Sequence, residues 1–233
     1  MHASGLSSGY GAVLFDLDGT LLDTVPDLAA ATNRMLAEMN FPGLSEDVIS
    51  SFVGRGIGKL VERSLDRASG SRVPEGQLEP ALAIFERFYG EESGRRSRPY
   101  SGVEPGLRQL EDAGMPMGIV TNKAARFTHQ LIKGLGWKHY FSVVVSGDTL
   151  PVKKPDPQPV RHACEQLSVS PVRALFIGDS RHDVEAARGA GCAVWCVPYG
   201  YNEGEPVDSL QCDEIVADLH TAAQRILTTQ FKV

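Results

Sequence analysis

The chain lacks the features that mark several large classes of protein. Only four of its 233 residues are cysteines (Cys164, Cys192, Cys196 and Cys212), and no two of them form a Cys-x-x-Cys pair. That is far from the dense disulfide framework of a small secreted domain, so reduced thiols are expected. Cys192 and Cys196 bracket the apolar run Ala193-Val194-Trp195. They read as small apolar residues at the ends of a buried strand rather than as metal ligands. No apolar run approaches the about 20 residues needed to span a bilayer. Met1 to Tyr10 hold neither a basic stretch nor an apolar core, which argues against a signal peptide and for a cytoplasmic protein. Basic charge is not in excess either. Lys and Arg number 23 against 29 Asp and Glu, a formal net charge of −6. Such a chain has no general electrostatic reason to seek nucleic acid or an anionic membrane. The six histidines show no metal-ligand spacing, and there is no internal repeat or low-complexity tract.

What is present is an ordinary globular composition, 42% hydrophobic and 22% charged, enough to form a substantial core. The length allows one large domain or a domain carrying a smaller insert. Short apolar runs recur at Ala12–Phe15, Met117–Val120, Val143–Val145, Ala174–Ile177 and Ala193–Val197. Continuous runs of this kind suit strands buried on both faces of a parallel sheet. Helical patterns lie between most of them: Glu104–Ala113 closed by Gly114, Ala124–Leu135, Val160–Leu167 and Asp183–Ala190. This alternation predicts a doubly wound, Rossmann-like α/β fold, whose ligand sites form at the carboxyl ends of strands. Residues 24–96 break it, with helical patterning and no convincing strand. Thr24 and Asp27 have the spacing of a capping box, followed by an apolar face of Leu28, Ala31, Met35, Leu36 and Met39. A second helix presents Ile57, Leu60, Val61, Ser64, Leu65 and Ala68, and a third runs from Glu79 to Phe88. The expected organisation is a discontinuous α/β core over 1–23 and 97–233, with an all-helical cap over 24–96 inserted after the first strand.

Four motifs fall at or just after strand ends. Asp16-Leu17-Asp18-Gly19-Thr20 places two carboxylates two residues apart beside a glycine turn. Asp16 can serve as a nucleophile and Asp18 as its acid/base partner, although such a pair can also merely cap a turn. Thr121-Asn122-Lys123 sets a hydroxyl and main-chain N–H groups before a helix, suited to phosphoryl oxygens or simply to capping. Lys153-Lys154-Pro155-Asp156-Pro157 restricts the backbone around Lys154, whose ammonium can offset charge between a carboxylate and a phosphate. Gly178-Asp179-Ser180-Arg181-His182-Asp183 sets two carboxylates four residues apart at a strand-to-helix turn, hard oxygen ligands that suit Mg²⁺.

In this order, Asp16-Leu17-Asp18-Gly19-Thr20, Thr121, Lys154-Pro155 and Gly178-Asp179 with Asp183 resemble the motifs of the haloacid dehalogenase superfamily. The helical insert looks like that superfamily's cap. The dehalogenases proper lack the second aspartate of the first motif, so Asp18 points to the phosphatase branch. A narrower resemblance, to bacterial phosphoglycolate phosphatases, rests on Pro26-Asp27-Leu28, Phe52-Val53-Gly54-Arg55-Gly56 and the run Pro198 to Pro206.

The resemblance implies a Mg²⁺-dependent phosphomonoester hydrolase working through an aspartyl-phosphate, with 2-phosphoglycolate as substrate. Asp16 and Asp18 would be catalytic, and Thr121, Asn122 and Lys154 would bind phosphate. Mg²⁺ would be held by Asp16, the Asp18 main-chain carbonyl and Asp179, with Asp183 in an outer or water-mediated role. Arg55, between two glycines, is the cap's candidate cation for the substrate carboxylate. Lys59, Arg63 and Arg67 read as a solvated helix face. Hydrolysis of another small sugar phosphate and phosphomutase chemistry are the alternatives. A non-enzymatic phospho-acceptor module fits poorly, because it has neither the Asp16/Asp18 spacing nor the insert. Nothing in the chain selects between a monomer and a homodimer.

Overall fold

The computed structural model describes residues 9–73 and 76–230. Residues 1–8, which carry most of the expectation about a leader, lie outside the described residues. In chain order the elements begin with β1 (Ala12–Phe15), β2 (Leu22–Asp23), α1 (Val25–Glu38), α2 (Glu46–Ser50), α3 (Ile57–Ser69) and α4 (Leu78–Glu92). Next come β3 (Arg98–Pro99), α5 (Val103–Asp112), β4 (Met117–Val120), α6 (Ala125–Gly134), β5 (Val143–Val145) and α7 (Gln158–Gln166). The chain closes with β6 (Ala174–Gly178), α8 (Arg181–Ala190), β7 (Ala193–Cys196), β8 (Glu214–Ile215) and α9 (Leu219–Gln230).

Six strands form one parallel sheet in the order β5-β4-β1-β6-β7-β8. β1 is central, with Val13 opposite both Met117 and Leu175, and all four of its residues are buried. Side-chain alternation sends Val13 and Phe15 to one face, with Leu107 of α5 and Leu219 and Ile226 of α9. Leu14 goes to the other face, against Val160 and Ala163 of α7 and Val184 and Ala187 of α8. The expected doubly wound α/β architecture is the one observed. Because neighbouring strands run parallel and in register, the chain after β1, β4 and β6 leaves the sheet at one edge. Three of the motifs therefore meet there.

The helices α1 to α4 lie between β2 and β3 and share a separate apolar cluster that includes Leu28, Met35, Leu60, Leu65, Phe85 and Tyr89. The two connections to them pair as a short antiparallel ladder, Leu22 opposite Pro99 and Asp23 opposite Arg98. Thr24 and Asp27 do not form the expected capping box. Thr24 stands at the N-cap position without a side-chain cap bond, and its hydroxyl instead donates to Asp18 at 2.8 Å. Asp27 is fully buried and accepts from the N–H groups of Gly94, Arg96 and Ser97 and from the Ser97 hydroxyl, at 2.6–3.0 Å. A carboxylate filled by four donors from the returning chain has no capacity left for a helix end.

Other boundaries also moved. α4 runs past Phe88 to Glu92 because Tyr89 and Glu92 are themselves buried, the latter bonded to Arg34 at 2.9 Å. The short α2, the edge strand β8 and α9 were not foreseen. α2 buries Ile49 alone, too little to set a period, whereas Leu219, Ala222, Ala223 and Ile226 do carry one. The first N–H of α6 is held by Asp148 at 2.8 Å, so neither Thr121 nor Asn122 caps it. Ser180 and Asp183 form a true capping box on α8.

Candidate active site

The loop after β1 turns sharply at Gly19, where φ is +94°. A Cβ at Gly19 would lie 2.5 Å from Asp179 Oδ2, so only glycine lets the turn approach the loop after β6 this closely. The loop from 199 to 204 closes on the same carboxylate from the other side. Asp179 accepts from the Thr20 hydroxyl through Oδ1 and from the Tyr201 N–H through Oδ2, both at 2.8 Å.

Asp16, Asp179 and Asp183 come together, each buried, with one oxygen of each within 4.8 Å of the others. Lys154, from the loop after β5, reaches into the cluster. Its Nζ lies 2.8 Å from Asp16 and 2.6 Å from Asp183. Burial alone would lower this ammonium's pKa, but the two carboxylates outweigh it and hold the group charged above the ordinary lysine range. Asp183 accepts in addition from the N–H and hydroxyl of Ser180, at 3.0 and 2.7 Å. One ammonium does not balance three carboxylates. Burial, chiefly, and the neighbouring acids push Asp16 up to about 7 and Asp179 up to about 8. An all-oxygen, buried and under-neutralised donor set fits a small hard divalent cation such as Mg²⁺.

Asp18 stands apart from this cluster. Its Oδ1 accepts from Thr24, and Lys123 Nζ lies 3.0 Å from both its oxygens. Lys123 is buried, and its Nζ sits 4.9 Å from the centre of the Tyr89 ring of α4. Burial opposes the charge on Lys123, but Asp18 and Tyr89 raise its pKa above normal. Lys123 is thus a second cation at the site, one to which its place in Thr121-Asn122-Lys123 assigns no role. Its neighbours Thr121 and Asn122 were the only signal, because nothing in sequence reveals that a lysine is buried.

Thr121 and Asn122 both line a cavity between the sheet edge and the helical segment, together with Asp16, Asp18 and Lys123. The Asn122 side chain is also a clamp. Its Nδ2 donates to the carbonyls of Gly54 and Lys154 and its Oδ1 accepts from the Lys154 N–H, each at 2.9 Å. Asn122 therefore joins three segments distant in sequence, a role that a motif cannot reveal. Arg55 is not brought into the cavity. Gly54 and Gly56 line it, whereas the Arg55 side chain is 45% exposed and lies 3.7 Å from Glu203. Arg63, read as a solvated face residue, ties α3 to the same Glu203 at 2.7 Å.

An α/β sheet that gathers buried carboxylates and lysines at its carboxyl edge, beside a helical segment with its own apolar cluster, has the architecture of an enzyme rather than of a binding module. The family model of haloacid dehalogenase-like hydrolases matches residues 13–197. The chain belongs to the haloacid dehalogenase-like hydrolase family. It is 47% identical to the phosphoglycolate phosphatase of Thiobacillus denitrificans, over 91% of this chain and 93% of that one. It is likewise 47% identical to the phosphoglycolate phosphatase of Nitrosospira multiformis, over 92% and 95%. A crystal structure of a predicted phosphoglycolate phosphatase from Haemophilus somnus superposes with a TM-score of 0.89 at 32% identity, covering 95% of this chain and 99% of that one. Among the described residues, no helix is long and apolar enough to cross a membrane.

Proposed function

We propose that this hydrolase is a Mg²⁺-dependent phosphomonoesterase whose substrate is 2-phosphoglycolate. The observation that carries the reading is Lys154, held between Asp16 and Asp183 at 2.8 and 2.6 Å, within the carboxylate cluster. Lys154 opposes the effect of burial on Asp16 without cancelling it, so a bound cation would complete the ionisation of Asp16 where a phosphoryl group would enter.

The site works as follows. The Asp16 carboxylate attacks phosphorus, a P–O bond forms to Asp16, and the P–O bond to the glycolate oxygen breaks. Asp18, having taken up a proton from solvent, delivers it to that departing oxygen. Asp18 then takes a proton from water as the water oxygen attacks the aspartyl-phosphate, releasing inorganic phosphate and regenerating Asp16. Thr121, the Asn122 N–H and Lys154 receive the phosphoryl oxygens. Asp16, the Asp18 main-chain carbonyl and Asp179 would hold Mg²⁺, with Asp183 fixing Lys154 and capping α8. When bound, the ion supplies charge neutralisation and Lewis-acid polarisation of the phosphoryl group. The helical segment 24–96 acts as a cap that shields this chemistry from bulk water. The names of the relatives favour 2-phosphoglycolate over a sugar phosphate.

The test is kcat/KM with Mg²⁺ over a panel holding 2-phosphoglycolate and several sugar phosphates, with product analysis. Preferential release of phosphate from 2-phosphoglycolate is expected. A higher kcat/KM for a sugar phosphate, or conversion of one sugar phosphate to its isomer, would reject the reading.

A further inference from the structure

2-Phosphoglycolate carries a second anion, its carboxylate, two bonds from the ester oxygen that leaves. A buried carboxylate needs a cation. The cap surfaces that line the cavity, Leu28, Val53, Gly54, Gly56, Ile57 and Leu60, offer none. Arg55 points away to Glu203, and Lys154 is occupied by Asp16 and Asp183. Among the residues lining the cavity, Lys123 alone carries positive charge.

We infer that Lys123 is the specificity-determining residue, the cation that receives the carboxylate of the substrate. The inference rests on the reading of 2-phosphoglycolate as substrate. Its geometry follows from Asp18. The acid that must touch the departing oxygen is the group Lys123 now grips, 3.0 Å from each carboxylate oxygen. An anion two bonds beyond that oxygen lies within reach of the same ammonium. A substrate carboxylate that takes over Lys123 frees both Asp18 oxygens from the ion pair, so recognition and alignment of the acid become one event. An ester without a carboxylate leaves Lys123 on Asp18. Tyr89, whose ring flanks Nζ at 4.9 Å, closes the cap side of this position and makes the cation's placement depend on the docked helical segment.

The experiment compares 2-phosphoglycolate with ethyl phosphate, the ester in which a methyl replaces the carboxylate, in the wild type, K123M, K123R and R55A. The expected result is a strong wild-type preference for 2-phosphoglycolate that falls at least ~30-fold in K123M, is partly restored in K123R and persists in R55A. A K123M enzyme that loses the same factor on both esters overturns the proposal, since Lys123 then serves Asp18 alone. Loss of the preference in R55A overturns it as well. A wild type that treats the two esters alike rejects the substrate reading itself, and the inference falls with it. Because K123M strands a buried carboxylate, affinities are also measured calorimetrically in D18N and D18N/K123M, where the pair is neutralised together. D18N/K123M is expected to lose affinity for 2-phosphoglycolate at least ~10-fold relative to ethyl phosphate; equal affinity losses overturn the proposal.

Discussion

The Tyr201 hydroxyl donates to Asp23 at 2.7 Å, fixing the loop after β7 to the last residue before the helical segment. The same oxygen accepts from the N–H groups of Thr24 and Val25, at 2.8 and 3.2 Å, while the Tyr201 N–H holds Asp179. One residue thus spans the carboxylate cluster and the start of α1. Tyr201→Phe removes three hydrogen bonds at this joint without touching the hold on Asp179. A loss of about 1–3 kcal/mol in stability is expected, read as a lower urea midpoint, with Mg²⁺ affinity retained.

Asp179 is oriented by Thr20 as well as by Tyr201. Thr20→Val keeps the shape and deletes the hydroxyl that donates to Oδ1. Loss of such an outer partner weakens metal binding by about 10–100-fold. Mg²⁺ titration of kcat is the measurement, and an unchanged half-saturation would contradict the assignment of Asp179 as a ligand.

Chelation with EDTA is expected to abolish turnover and added Mg²⁺ to restore it. Asp16→Asn should remove activity by a factor on the order of 10⁴ or more while the protein stays folded. Steady-state kinetics and circular dichroism together check this, and a near-normal rate would refute Asp16 as the nucleophile.

The metal-free protein should lose stability as pH rises. Asp16 is held up to about 7 and Asp179 up to about 8, each above an ordinary value of 3.8. The folded state therefore binds more protons than the unfolded state between about pH 4 and 8, and ΔG of unfolding falls across that window as pH rises. Mg²⁺ binds the ionised carboxylates, so the increase in Tm that it produces should grow from pH 5 to pH 8. Thermal melts with and without the ion test both slopes.

Asp27→Ala leaves three main-chain N–H groups and a hydroxyl without their acceptor inside the protein. The expected cost is on the order of 3 kcal/mol, enough to threaten folding of a marginally stable domain. Chemical denaturation of the variant, where it can be isolated, gives the number.

Asp27 also shows where sequence reading stops. Its spacing from Thr24 matched a capping box, and no local rule reveals that the chain returns 67 residues later to fill its carboxylate. Lys123 is the same case. The motif that contains it was legible, but its pairing with Asp18 spans 105 residues and depends on how β1 and β4 are registered. Arg55 was the natural candidate cation in the glycine-flanked loop, and the fold turned it to Glu203 instead.

Composition and periodicity by themselves determined that this is a parallel α/β chain, because strands buried on both faces need continuous apolar runs and crossover helices between them. They also determined the order of Asp16, Asp18, Thr121, Lys154, Asp179 and Asp183 along strand ends. Only the tertiary structure decided which of these share a charge cluster, which lysine faces which carboxylate, and which cations reach the cavity. Those choices depend on distances between segments tens to more than a hundred residues apart, and a sequence encodes them through packing rather than through any local pattern.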